Sequence, residues 1–262
     1  MPFINPKSIL RTVVLAVGTI SCVMAQGSQS GAGSKPKYIQ LHEVPSAIQP
    51  VLAALGPRFQ APGKERVVTI GQLRRKTGIS TVQVINELPG QVRITETGGR
   101  ARSLTFDLAD IKGKDQLDDD DEDLMESLGI DSPEQFLQSL TPGVSLRLLG
   151  HRFRVKGETG FGSEVDIFQV IAPVSSRRDK QIRNKQVMFD TQTLLLRRVV
   201  YTVQKGNQTI RTETIHSDYS TVDGHQLAGR TQRLENGIEV FQFTRQTASL
   251  VPAASDNLFR IP

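Results

Sequence analysis

Apolar and polar residues alternate along much of the chain from Glu65 onward, and this period of two is typical of β-strands. Leu104, Phe106 and Leu108, for example, alternate with polar side chains. Short turns rich in Gly, Pro or Asn separate the alternating segments, and Asn236-Gly237 is a typical two-residue hairpin turn. The pattern predicts a mainly β (α+β) fold whose second half is an up-and-down antiparallel meander.

Two short helices are predicted outside this pattern. Segment 45–56 has a candidate N-cap at Ser46, a Pro50 that delays or kinks the helix, and a Gly56 that ends it. Its apolar positions are Val51, Leu52 and Leu55. A second helix is predicted over 132–140. Ser132 is its candidate N-cap, Pro133 takes the first helical position and Gln135 the third, as in a capping box.

An acidic run lies between the predicted first and second groups of strands. Eight acidic residues fall between Asp115 and Glu126. Since like charges repel, the run is predicted to be a solvated loop, within an insert at about 112–127. A calcium loop is disfavoured, because the unbroken run of carboxylates that begins at Asp118 does not have the alternate spacing that such a loop needs.

The N-terminus has the pattern of an export signal. Lys7 and Arg11 precede the uncharged apolar stretch Thr12–Ala25, which is short for a helix that needs about 20 apolar residues to span a bilayer. We predict a signal peptide over 1–25, cut after Ala25. The alternatives are an uncleaved membrane anchor and a lipid anchor at Cys22.

Residues 26–44, rich in Gly and Ser at first, are predicted to be a flexible linker before a single domain over 45–262. The net charge of +5 is small and dispersed over 262 residues, so no nucleic-acid partner is predicted. Because the single cysteine lies in the predicted signal, the exported chain would be without disulfides. The predicted location is the periplasm or cell envelope.

Candidate chemistry is concentrated in the stretch HSDYSTVDGH. His216, Asp218, Asp223 and His225 could converge across a hairpin on zinc or act in catalysis. The alternative is a turn at Asp223-Gly224, with both histidines on a solvated face. No nucleophile or phosphate-binding motif accompanies the four residues, so we predict no enzyme activity, no metal and no cofactor.

Strand residues with apolar side chains on both faces suggest a different role. In LLLRRVVY, Leu194, Leu196 and Val200 are predicted to share one face. Such strands fit either an ordinary closed core or an apolar ligand cavity. The candidate cavity residues are Val92, Ile94, Leu104, Phe106, Leu194, Leu196, Val200, Ile210, Phe241 and Phe243.

The order of segments over 187–262 resembles the LolA/LolB-like superfamily of exported lipoprotein and lipid carriers. The residues that carry the resemblance are Phe189-Asp190, Asp218-Tyr219, Val222-Asp223-Gly224, Leu227 and Arg230. Ala228 stands where proline is usual in that family.

The resemblance implies an antiparallel half-barrel whose concave face is covered by short helices. It also implies a non-enzymatic carrier or sensor that holds lipid or lipoprotein acyl chains, with peripheral membrane contact as a further expectation. The alternative is an envelope protein–protein interaction module on the same fold without lipid cargo. The acidic run and the basic segment Arg177–Lys185 would then be its contact surfaces.

Overall fold

A computed structural model of the chain describes ten stretches of residues. They are 48–60, 63–88, 90–98, 102–107, 110–113, 117–135, 145–155, 164–171, 182–254 and 258–259. The predicted signal peptide and linker, Ser46, residues 136–140 of the predicted second helix, and residues 177–181 of the basic segment lie outside them. The division into a domain over 45–262 therefore stays a prediction.

The described chain is mostly β-structure. The strands are β1 (Glu65–Arg75), β2 (Gly78–Glu87), β3 (Gln91–Thr97), β4 (Arg102–Asp107), β5 (Asp110–Gly113), β6 (Ser145–Arg154), β7 (Glu164–Ile171), β8 (Ile182–Asp190), β9 (Leu196–Lys205), β10 (Gln208–Ser217), β11 (Ser220–Val222), β12 (His225–Leu227), β13 (Arg230–Glu235) and β14 (Ile238–Pro252). The helical elements are α1 (Gln49–Leu55), a 3₁₀ turn (Pro57–Gln60), α2 (Asp119–Met125) and a π-helical turn (Glu126–Ile130).

Twelve of the strands form one antiparallel sheet in the order β5-β4-β3-β2-β1-β14-β13-β10-β9-β8-β7-β6, and β11 and β12 form a separate small hairpin. The sheet is curved but not closed, and β5 and β6 are its edges in the described chain. This confirms the predicted mainly β class and curved antiparallel sheet. No helix of the described residues has the length and hydrophobicity needed to cross a membrane.

The predicted hairpin turns are confirmed by their backbone angles. Asn236 and Gly237 both have positive φ, at 49° and 80°, between β13 and β14. Asp223 and Gly224, between β11 and β12, also have positive φ, at 47° and 79°. Positive φ at both central residues matches the right-handed twist of paired strands, which is why Asn-Gly and Asp-Gly pairs predict such turns well.

Helix α1 begins later than Ser46, as Pro50 suggested. Its N-cap is Ile48, which makes no side-chain cap hydrogen bond, and Pro50 lies in the first turn. Gly56, with φ of 123°, ends it. The predicted apolar face is confirmed, because Val51, Leu52 and Leu55 are all buried.

The acidic run is helical from Asp119 onward, so the prediction of a loop is wrong. Its described carboxylates are divided, because Asp118, Asp119, Asp120 and Glu122 are exposed and the other three are buried. Asp118 caps α2 by accepting a hydrogen bond from the Asp121 backbone nitrogen at 2.9 Å, and the Asp121 carboxylate accepts one from the Asp118 nitrogen. Asp121, Asp123 and Glu126 are each at most 5% exposed. Their repulsion is offset by cations from strands that are distant in the sequence.

Two apolar clusters contain most of the buried apolar side chains of the described residues. The α1 cluster joins α1 to β7, β8 and β9; its buried members are Ile48, Val51, Leu52, Leu55, Leu88, Phe168, Val187, Phe189, Leu195, Leu196, Val199, Tyr201 and Val203. The α2 cluster joins α2 and the π-turn to β1–β4 and β14; its buried members are Leu73, Val82, Val84, Val92, Ile94, Leu104, Phe106, Leu124, Met125, Leu128, Phe241 and Phe243.

Candidate functional site

A buried polar stripe lies between the two apolar clusters on the concave face of the sheet. It consists of Tyr201 on β9, Thr212, Thr214 and His216 on β10, and Thr231 and Arg233 on β13. Strand register places them on one face, since Tyr201 lies opposite Thr212, Thr214 opposite Arg233, and His216 opposite Thr231. Most buried polar groups in proteins are hydrogen-bonded. In this stripe the Thr212 hydroxyl and the Arg233 Nε have no hydrogen-bond partner among the described residues.

Arg233 is the centre of this stripe and is fully buried. Its guanidinium donates to Asp123 at 2.6 Å and to Glu126 at 3.0 Å. The Tyr201 hydroxyl donates to Glu126 at 2.5 Å, and Lys205 donates to Asp123 at 2.9 Å. Burial opposes the charge of Arg233, but the Tyr201 oxygen and the Asp123 carboxylate raise its pKa above the ordinary value.

His216 contacts the C-terminal part of the segment that contains α2, residues 118–135. Its Nε2 lies 3.0 Å from the Asp131 carbonyl oxygen and its Nδ1 lies 3.1 Å from the Thr231 hydroxyl. Because a carbonyl only accepts, Nε2 carries the proton and Nδ1 accepts from Thr231. Burial lowers the pKa of His216 to about 4, so the ring is neutral at neutral pH. Lys185 donates to the Asp131 carboxylate at 2.5 Å.

These contacts fix segment 118–135 against the sheet. Arg102 adds a further ion pair to Asp121 at the other end. Breaking any one of the buried pairs leaves an uncompensated charge in a poorly hydrated site, which is costly. The segment is therefore held by matched charges as well as by the apolar contacts of Leu124, Met125 and Leu128 in the α2 cluster.

Helix α1 covers the other cluster in a different way. Its sequence, QPVLAAL, contains no charged residue, so no ion pair can tie the helix itself to the sheet. Val51, Leu52 and Leu55 supply its contacts with the α1 cluster, together with Ile48 at its N-cap. Apolar contacts are non-directional, so another apolar group of similar shape can replace them.

The apolar surface below α1 continues to the β6 edge. Leu146 and Val170 are half-buried and pack against the α1 cluster. Leu148 lies opposite the buried Phe168 and is 50% exposed. Paired residues of neighbouring strands share a face, so an apolar path runs along the concave face from the covered cluster to solvent.

The candidate cavity residues are divided between the two clusters. Val92, Ile94, Leu104, Phe106, Phe241 and Phe243 are buried in the α2 cluster. Leu196 is buried in the α1 cluster, and Leu194 and Ile210 pack against it. Val200 is buried outside both clusters and lies opposite Glu213.

The predicted common face of Leu194, Leu196 and Val200 is wrong. The register between β8 and β9 shifts at Met188/Phe189, where Arg198 and Leu196 are the successive partners. The extra residue at this bulge brings Leu196 to the same side as Val199 and Tyr201. Val200 therefore points to the opposite face. Simple alternation along the sequence placed Leu196 and Val200 on the same face because it did not include the bulge.

HSDYSTVDGH forms a corner and a turn. Asp223-Gly224 is the turn, and the Tyr219 hydroxyl donates to the Leu196 carbonyl at 2.5 Å. The prediction that both histidines are solvated is wrong, since His216 and His225 are at most 2% exposed. Among the described residues, no group of three or more His, Cys, Asp or Glu side chains is arranged to hold a metal ion.

A groove in the described structure has none of the candidate cavity residues in its lining, although its Val240 is the chain neighbour of Phe241. It has a volume of about 380 Å³ and lies between the β1–β2 turn, Asp120 of α2 and the β13–β14 hairpin. Arg75, Lys76, Glu235 and Glu239 line it with both signs of charge. Ile238 and Val240 add apolar surface to the lining, but an acyl chain in this groove would also lie against the charged groups, which is unfavourable.

No protein-family model matches the sequence, and a comparison with curated proteins finds no match either. Solved structures do match. A LolA superfamily protein from Nitrosomonas europaea superposes with a TM-score of 0.51 at 10% identity, over 81% of this chain and 97% of that one.

Two further structures have a TM-score of 0.48. One is a domain from Vibrio parahaemolyticus assigned to outer membrane lipoprotein sorting, at 11% identity over 84% of this chain and 96% of that one. The other is a DUF1329 family protein from Desulfovibrio piger, at 10% identity over 80% and 95%. At these identities the likeness concerns the fold, and the protein has a LolA-like fold.

Proposed function

We propose that the protein is an exported, non-enzymatic carrier or sensor that binds the acyl chains of a lipid or lipoprotein on its concave face, beneath α1. The observation that carries the proposal is the different attachment of the two helical segments that cover the clusters, α1 and segment 118–135. The α2 segment is held by buried ion pairs, whereas α1 has no charge and covers an apolar surface that continues to exposed Leu148.

An acyl chain can replace the side chains of α1 with contacts of the same kind. Burial of each methylene contributes about 0.8 kcal/mol, which offsets the lost contacts of Ile48, Val51, Leu52 and Leu55. The mouth would lie at Leu148 on the β6 edge. The predicted cavity residues Leu194, Leu196 and Ile210 lie on this side, and those of the α2 cluster would stay covered.

Lipid binding can be tested on the full chain recovered after export. Native mass spectrometry should detect co-purified acyl ligands, and a fluorescent fatty acid should bind to the delipidated chain. Leu148→Glu should weaken uptake about tenfold, because a carboxylate at the mouth must be partly desolvated. Ile238→Glu is the matched control, since Ile238 is 60% exposed on a distant hairpin and should keep wild-type uptake.

A second pair of variants tests whether α1 or the α2 segment controls uptake. Leu52→Ala removes buried methyl groups from α1 and should speed uptake, because the cover opens more easily. Leu128→Ala makes the same change in the α2 cluster and should leave the uptake rate unchanged. Absence of bound lipid together with no uptake by wild type or Leu52→Ala would contradict acyl binding.

A further inference from the structure

The β6 edge carries exposed apolar side chains that the concave site does not use. Leu149 is 46% exposed, Phe153 is 54% exposed, and Ile171 of neighbouring β7 is 47% exposed. Large apolar side chains grouped at one place on a protein surface commonly mark an interaction site. Their partner is indicated by the groups that lie among them.

Basic side chains lie among these apolar groups. Strand β6, SLRLLGHRFR, contains three arginines and no acidic residue. Arg152 is balanced by Glu164 at 3.5 Å, and His151 lies 2.8 Å from Asp166. Within the described part of the chain, neither Arg147 nor Arg154 has an ion-pair partner, and both are exposed. Among the described residues, the edge therefore presents Arg147 without a counter-charge beside Leu149, and Arg154 opposite Glu164, which Arg152 also contacts.

The backbone of β6 is poorly suited to the addition of another strand. Its register with β7 shifts twice, at Leu148/Gly150 and at Gly150/Phe153, and Arg152 has a φ of 51°. Bulges of this kind interrupt the row of hydrogen-bonding groups that an incoming strand needs. A peptide strand or a second copy of the chain is thus a poor fit.

We propose that the β6 edge docks on the surface of an anionic phospholipid bilayer. Leu149 and Phe153 lie at the depth of the headgroups, and Arg147 and Arg154 bind lipid phosphates. Arginine suits this place because its aliphatic stem packs on apolar groups while the guanidinium stays hydrated. The edge remains in the hydrated interface, because its unpaired backbone groups cannot enter hydrocarbon.

Flotation with vesicles tests the docking directly. The full chain should bind vesicles of phosphatidylglycerol and phosphatidylcholine and bind pure phosphatidylcholine weakly. Arg147→Gln and Arg154→Gln should each lower partitioning about fivefold, since one basic residue near an anionic surface has that effect. Phe153→Ser should lower it by a similar factor. All variants keep the same N-terminal segment, so differences between them report on the edge.

Matched controls lie on other strands. Arg74→Gln with Arg230→Gln removes two exposed arginines elsewhere, and Ile79→Ser removes a side chain that is 65% exposed. These controls should bind as wild type does. Equal binding by the edge variants and the controls would overturn the proposal. So would light scattering that shows a wild-type dimer and a monomer for Phe153→Ser, because the edge would then be a self-interface. Neither result bears on acyl binding, which fatty-acid uptake measures without vesicles.

Discussion

At the residue scale, Arg233 has the greatest influence on how the concave face is filled. It is wholly buried and bonds to two carboxylates from a segment more than a hundred positions away. A buried ion pair often adds little relative to well-packed apolar residues, but loss of one partner is severe. The position of α2 therefore depends on the positive charge of Arg233.

Arg233→Met should lower the free energy of unfolding by about 3–5 kcal/mol, because Asp123 and Glu126 are left buried with too little positive charge. Urea denaturation measures the change. Arg74→Ala is the control, since Arg74 and Glu239 form an exposed pair and the loss should stay within about 1 kcal/mol. If Asp123→Asn and Glu126→Gln, added to Arg233→Met, restore no stability, then packing and not charge explains the effect.

His216 should make stability depend on pH. Its pKa is lowered to about 4 in the folded chain, from 6.5 in the unfolded chain. The unfolded state therefore binds more protons between these values, so stability falls as pH falls through this window, by about 3 kcal/mol at most. Above pH 6.5 the residue has no such effect.

The difference in unfolding free energy between wild type and His216→Gln, measured from pH 4 to pH 8, isolates this contribution. The variant should lose less stability than wild type on acidification. Parallel curves for wild type and His216→Gln would show that the ring is already protonated or exposed.

At the element scale, α1 and α2 are both seven-residue helices with different attachments. Helices this short gain little stability from their own hydrogen bonds, so tertiary contacts decide their order. Helix α1, QPVLAAL, has no charged residue and packs on the sheet through apolar side chains, whereas α2 has a capping box and buried ion pairs.

Hydrogen exchange should separate the two helices. We expect amides of α1, such as that of Leu52 bonded to the Ile48 carbonyl, to exchange at least about tenfold faster than that of Glu122 bonded to the Asp118 carbonyl. Mass spectrometry of peptides covering 49–56 and 119–126 measures both after correction for intrinsic rates. Equal protection would mean that α1 opens only with the whole domain.

The cap of α2 can be tested alone. Asp118→Ala removes the acceptor for the Asp121 amide and should lower the free energy of unfolding by about 1 kcal/mol. Asp119→Ala is the control, because Asp119 is exposed in the first turn and accepts no cap bond in the described structure. Thermal denaturation gives both values, and equal losses would assign the effect to the helix dipole.

The acidic run shows what the sequence could not predict at this scale. Eight carboxylates in twelve positions favour a solvated loop only when no counter-charge is near. Their partners Arg75, Arg102, Lys205 and Arg233 come from four strands. Helix α1 could be predicted better, because Pro50, Gly56 and three apolar positions act locally.

At the scale of the whole molecule, local patterns predicted the sheet, and long-range pairing completed it. Alternation and turn residues indicated antiparallel strands and the hairpins at 223–224 and 236–237. They carried no information on the pairing of β1 with β14, which joins the two halves of the sheet. The bulge at β8–β9 also escaped prediction, because it depends on register between strands.

The same limit applied to the candidate site. Apolar residues on strands could be recognised, but not which of the two clusters each would join or what would cover it. Ion pairs hold α2, whereas apolar contacts hold α1. The sequence could not predict this difference, because it depends on the position of Asp123 and Glu126 beside Arg233. This difference is what directs the proposed acyl site to the α1 side.

Photo-crosslinking with a fatty acid that carries a diazirine near the end of its chain tests the central claim most directly. After irradiation of the loaded full chain, peptide mapping should place the label on β7, β8, β9 or α1, around Phe168, Phe189 and Leu196. Excess unlabelled fatty acid should abolish the labelling. Label confined to the α2 cluster, or spread over the convex face and unaffected by competitor, would contradict an acyl site beneath α1.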